Sequence, residues 1–174
     1  MRGQLMSLSL ESNLFGNAGC ELLASGLLAR VPGSRLALPS LTELELKDNQ
    51  IGNPGTAALV RAFPAVPSLR YFGLSDNRVG DIGVTAIALG STALLRLVAL
   101  DLSHNRIAAQ GVRALEQAVS AGAWPHMPPY RRDPRGEAGE ARLRGGIAVP
   151  GMDGFGLLDR LLSARQARRN AAAV

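Results

Sequence analysis

Few side chains in this chain have a catalyst's chemistry, and fewer are spaced to use it. Cys20 is the one thiol and the one candidate cysteine nucleophile or redox centre. No histidine stands beside it in the sequence to generate a thiolate. Ser103, His104 and Asp101 can be drawn as a triad, but residues two apart on one strand merely share a face, and nothing supplies an oxyanion site. Cys20, His104 and His126 are too few for a structural zinc site. Gly16, Gly52 and Gly80 resemble nucleotide-loop glycines, yet G-x-x-x-x-G-K-[ST] is absent and Lys47 has no phosphate-loop context. These residues predict no enzymatic activity, no cofactor and no metal.

The elements that hold such residues follow from composition and pattern. The 174 residues are 47% apolar and 19% charged, with a mean hydropathy of +0.10, enough to bury a core. No stretch approaches the roughly 20 apolar residues of a membrane span. One cysteine excludes an intramolecular disulfide framework. A soluble protein of the cytoplasm is expected, with the nucleus as the alternative. The net charge of +5 suggests a nucleic-acid binder until its distribution is considered. Residues 1–123 carry ten basic and nine acidic side chains, residues 124–174 nine and five. The excess is therefore mostly in the tail, where Tyr130 alone could stack on a base beside Arg131, Arg132, Arg135, Arg142 and Arg144.

A repeat dominates the first two-thirds. Leu41-x-x-Leu44-x-Leu46-x-x-Asn49-x-Ile51-Gly52-x-x-Gly55-x-x-Ala58-Leu59 returns 28 residues later from Leu69 and again from Leu97. Leu5-x-x-Leu8-x-Leu10-x-x-Asn13 opens a fourth copy upstream, separated by extra residues around Val31–Arg35. Leu44 and Leu46 alternate with Glu43, Glu45 and Lys47, which predicts a strand with one buried face. Asn13, Asn49, Asn77 and Asn105 fall where the chain leaves each strand, and their amides are expected to form an inward, hydrogen-bonded ladder. Asn53-Pro54 reads as a helix N-cap followed by proline, with Asn17 and Asp81 in the same column. Ala109 breaks that column, so the fourth helix lacks a start signal. Apolar residues then recur at helical spacing, as in Leu22, Leu23 and Leu27 or Ala58, Leu59 and Phe63. Such strand–helix units cover their apolar faces only by stacking.

The pattern over residues 5–120 resembles the leucine-rich repeat family in its long, ribonuclease-inhibitor-like form. The expected fold is an α/β right-handed solenoid of about four repeats, its parallel sheet concave and its helices convex, with a disordered or helical C-terminal tail. The resemblance implies a protein-interaction module. It also admits a small-GTPase regulator similar to the Ran GTPase-activating proteins, or a C-terminal fragment of an immune-receptor-like protein. No catalytic residue carries over to this chain. Aligned by the repeat, the exposed strand face reads Ser7, Glu43, Tyr71 and Ala99; then Ser9, Glu45, Gly73 and Asp101; then Glu11, Lys47, Ser75 and Ser103. At the strand exit stand Ser12, Asp48, Asp76 and His104, where an Asp76–His104 contact would favour the imidazolium. The candidate partner-binding residues are Glu43, Glu45, Lys47, Tyr71, Ser75, Asp101 and Ser103. An acidic-leaning face argues against a phosphate backbone as its ligand, and the protein partner implied by the resemblance has no readable identity.

Organisation follows: repeats over 1–123, a Pro/Arg/Gly-rich linker expected to be disordered over 124–152, and an amphipathic helix over 153–170. A fifth repeat would place Pro125 and Pro128 at strand positions, which cannot supply ladder donors. Asp153 is a candidate cap for the final helix, whose apolar stripe is Phe155, Leu157, Leu158, Leu161 and Leu162. That helix is expected to stay undocked, with docking over the fourth repeat through Trp124 as the alternative. The first repeat has no polar cap before it, so an N-terminally truncated piece, or self-association through that repeat, is expected.

Overall fold

The structure is a computed structural model that describes residues 5–29, 38–128, 146–148 and 156–172. Five short strands form one parallel sheet in chain order: β1 (Ser7–Ser9), β2 (Glu43–Glu45), β3 (Tyr71–Gly73), β4 (Ala99–Asp101) and β5 (Gly146–Ala148). Helices α1 (Gly16–Leu28), α2 (Asn53–Ala62), α3 (Asp81–Leu89), α4 (Ala109–Ser120) and α5 (Gly156–Ala171) pack consecutively beside one another. Short 3₁₀ turns at Phe63–Ala65 and Gly90–Ala93 return the chain from α2 and α3. The result is an α/β solenoid with one strand–helix unit per layer.

Register follows the repeat. Leu8, Leu44, Phe72, Leu100 and Ile147 are successive partners across the sheet, all buried except the half-buried Leu8. Leu46, Leu74 and Leu102 from the strands meet Leu59, Ile87 and Leu115 from the helices in the same core, each at most 1% exposed. Phe63 meets Phe72 edge to face at 5.4 Å, locking a return turn against a strand. Leu22 differs from the expected stripe: it is 76% exposed, and Cys20, Ala24 and Leu27 form the inner face of α1.

The turn after each strand is built by two adjoining columns. Ser12, Asp48, Asp76 and His104 all have φ between 53° and 57°, the left-handed conformation that short polar side chains tolerate best. That backbone need accounts for the polar residues at the strand exit. The asparagines beside them bind across layers. Asn77 Oδ1 accepts the N–H groups of Asn49 (3.1 Å) and Ile51 (2.8 Å), and its Nδ2 donates to the carbonyls of Leu46, Leu74 and Ser75. Asn49 Oδ1 likewise accepts from Asn13 and Phe15, and Asn105 Oδ1 from Val79. Asn13 differs: it is exposed, and its amide donates only locally, to the Glu11 carbonyl.

The helix starts correct the expected capping. The N-cap positions are Gly52, Gly80 and Ala108, none with a side-chain cap of its own. Asn17, Asn53 and Asp81 instead serve the next layer. Asn17 Oδ1 accepts from Gly52 and Gly55, Asn53 Oδ1 from Gly80 and Gly83, and Asp81 Oδ1 from Ala108 at 2.7 Å. A Cβ at Gly55, Gly83 or Gly111 would lie 2.7–2.9 Å from the incoming oxygen, so that column must be glycine. The fourth helix thus does have a start signal, placed one repeat earlier.

The C-terminal expectations also require correction. Within the expected disordered linker, Gly146–Ala148 add β5 to β4 and bury Ile147. Helix α5, expected to stay undocked, packs on α4 with Leu162 buried. Arg165 donates to the carbonyls of Val119, Ala123 and Trp124, and Arg169 to that of Pro125, which neutralises the carbonyl end of α4 with cations. Burial lowers the Arg165 pKa, with Arg169 adding repulsion. Trp124 and Met127 are buried beneath this layer. The Val31–Arg35 insertion, the arginines of 131–144, Tyr130, Asp153 and Phe155 lie outside the described residues, as do the side chains of Leu157 and Leu158.

Candidate partner-binding face

Parallel pairing places the exposed columns side by side: Ser7, Glu43, Tyr71 and Ala99 in one row, and Ser9, Glu45, Gly73 and Asp101 in the next. Exposure falls along the array. Ser7, Ser9 and Glu43 are exposed, Tyr71, Glu45 and Asp101 half-buried, and Ala99 and Gly73 buried.

Glu45 is the best-held side chain on this face. The Tyr71 hydroxyl donates to its Oε2 at 2.6 Å, and the Lys47 backbone N–H to its Oε1 at 3.0 Å. Gly73 makes this posture possible, because a Cβ there would sit 2.2 Å from Oε1. Burial raises the Glu45 pKa; the bonds from Tyr71 and Lys47 oppose the shift, and Asp101 and Glu11 reinforce it. Asp101 copies half of the arrangement, accepting the Ser103 N–H (2.9 Å) and hydroxyl (2.6 Å) at Oδ1. Glu43 Oε2 accepts the Ser7 hydroxyl across the layer at 3.1 Å.

The candidate residues therefore divide. Glu43, Glu45 and Tyr71 line a single concavity of about 510 Å³ together with Ser7, Ser9, Ala99, Met6, Thr42, Arg70 and Val98. Lys47 is engaged elsewhere, 3.1 Å from Glu11, and that bond raises its pKa. Ser75 is 4% exposed and presents no contact surface. Asp101 and Ser103 bind one another. The face also recruits residues that sequence reasoning left out: Met6, Thr42, Arg70 and Val98 form the column one step before the strands, which the same 28-residue register locates.

The remaining chemical candidates are placed as follows. Cys20 is fully buried, and burial pushes its thiol up to about 12, with Glu21 adding to the shift. His104 is exposed, and the ion pairs among the described residues are Lys47–Glu11 and Arg61–Glu21, so no Asp76–His104 pair forms. Among the described residues no group of three or more His, Cys, Asp or Glu is placed to hold a metal ion, and no helix is long and apolar enough to cross a membrane.

Three segments, 37–60, 67–88 and 97–115, match the family model described as Leucine Rich repeat. These segments contain β2, β3 and β4 and the greater part of the helices that follow them, and β1–α1 joins them in the same register. The chain carries leucine-rich repeats, and its fold is the α/β solenoid they build. No curated protein matches it at a significant level.

Proposed function

We propose that this chain is a non-enzymatic protein-interaction module that presents the concave side of its sheet, around Glu43, Glu45 and Tyr71, to a protein partner. The observation that carries the reading is the concavity on that face, where Tyr71 and Glu45 are fixed to one another at 2.6 Å. A rigid aromatic in a partly desolvated hollow is the usual anatomy of an interface anchor. The 28-residue period and helical outer side favour the long, ribonuclease-inhibitor-like form of the repeat, and a scaffold role. A lone free cysteine, buried, suits a reducing compartment such as the cytoplasm or nucleus.

The test is affinity capture with the full chain and with Glu43→Ala and Tyr71→Ala variants, using Arg113→Ala, an exposed side chain of α4, as the control. Partner recovery should fall for the first two and hold for the control. Recovery indifferent to Glu43 and Tyr71 would remove this surface from consideration.

A further inference from the structure

The concavity has a chemical bias. Two carboxylates, Glu43 and Glu45, converge on it from one strand, and neither is in an ion pair with a cation of the described chain. Both are oriented by hydroxyl donors, Ser7 for Glu43 and Tyr71 for Glu45; the Lys47 N–H takes the other Glu45 oxygen, so Glu43 keeps one oxygen open and each Glu45 oxygen keeps a lone pair for an incoming donor. Tyr71 forms an aromatic wall, and Met6, Val98 and Ala99 add apolar surface. Exposed Arg70 is the one cation of the lining, at its strand-entry rim.

We infer that this hollow is a subsite for an arginine side chain of the protein partner, an inference that rests on the concave face being the binding surface. A guanidinium is planar, stacks on aromatic rings and donates in a fork to carboxylates, so Tyr71 and the two glutamates meet its ring-like face and its edge together. The aliphatic stem of arginine suits the apolar wall. Glu45 is held in an unfavourable setting in the free protein, half-buried with Asp101 and Glu11 nearby. An arriving cation relieves that cost, whereas an anion or a neutral apolar group does not.

Nitrogen-15 NMR of the full chain tests this with Nα-acetyl-arginine amide, its neutral isostere Nα-acetyl-citrulline amide, and Nα-acetyl-lysine amide. The arginine amide should give saturable shifts centred on the amides of Glu43, Glu45, Tyr71 and Ala99. Citrulline amide should bind about tenfold more weakly, as loss of charge-assisted bonding implies, and lysine amide should fall between. Glu43→Gln, at an exposed position, and Gly73→Ala should each abolish saturation. In Gly73→Ala the new methyl displaces the flexible end of Glu45 and leaves the strand in place. Equal binding of citrulline or lysine amide overturns the inference, as do shifts spread evenly over Asp48, Asp76 and Glu116. If capture depends on Glu43 and Tyr71 while the arginine amide does not bind, only the arginine subsite falls. If the amide binds while capture ignores both residues, the partner-binding reading falls instead.

Discussion

Replacing Asn77 with alanine should destabilise the protein more than any other change in the asparagine column. The side chain accepts two backbone N–H groups, those of Asn49 and Ile51, and both residues are fully buried. Alanine leaves both donors without an acceptor, at about 1–3 kcal/mol each, so relaxation and water entry bring the total to about 2–5 kcal/mol. The carbonyls that lose Nδ2 suffer less, since that of Ser75 still accepts the Asp48 N–H. For a chain of this size the loss corresponds to roughly 5–15 °C in Tm. The equivalent substitutions form an internal scale. Asn49→Ala frees two N–H groups in a partly exposed first layer, and Asn105→Ala frees the Val79 N–H. Asn13→Ala breaks one local bond at the surface. Calorimetric or circular-dichroism melts should therefore rank Asn77 first, Asn49 and Asn105 intermediate, and Asn13 within about 0.5 kcal/mol of the parent. A flat series, or a destabilised Asn13 variant, would refute the cross-layer account.

Three further outcomes follow from the same structure. Asn53→Ala should cost about 1 kcal/mol, and hydrogen exchange should quicken at Gly80 and Gly83, opening α3, with α2 unchanged; quickening confined to α2 would contradict capping across the layer. Because the folded Glu45 pKa is raised, its contribution to stability is complete below the unfolded carboxylate value near pH 4 and is lost as pH rises through the folded value. Glu45→Gln, whose Nε2 can donate to the Tyr71 oxygen, should accordingly raise Tm at pH 7 and not at pH 3.5; a uniform shift at both pH values would dispose of this. Deleting residues 129–174 removes buried Ile147 and Leu162, worth about 1.5–3 kcal/mol each, and the Arg165 contacts on α4. Tm should fall by several degrees, and an unchanged melt would show that the tail is not the end cap.

The solenoid was legible because its signal is repeated: Leu44 and Leu46 could be misread once, but not in register with Phe72 and Leu74 and with Leu100 and Leu102. The same periodicity placed the face columns correctly. What it could not convey was which side chain leans where. Glu45 covers Gly73 and reaches Tyr71, and this cross-strand packing has no local sequence mark. Capping was misassigned for a related reason. Asn53-Pro54 looks like a local start signal, but the asparagine oxygen crosses to a layer that begins 27 residues later. The tail failed the 28-residue test because an insertion displaces its strand from the expected register. Gly146-Ile147-Ala148 is also too short to announce itself.

The caps that reach forward have a consequence for how long such an array can be. Each regular layer carries two stitches of opposite direction: an asparagine amide that ties back to the preceding turn, and an Asn or Asp that starts the following helix. A whole layer can be duplicated or excised in mid-array and the seams still match, since every layer both offers and receives. The fourth layer breaks the rule, because Ala109 holds the place of Asn17, Asn53 and Asp81 and offers nothing forward. Another regular layer spliced after it would begin with bare helix amides. Ala109 therefore leaves a regular layer spliced at this point without its cap, and Ala109→Asn is the change that would supply it.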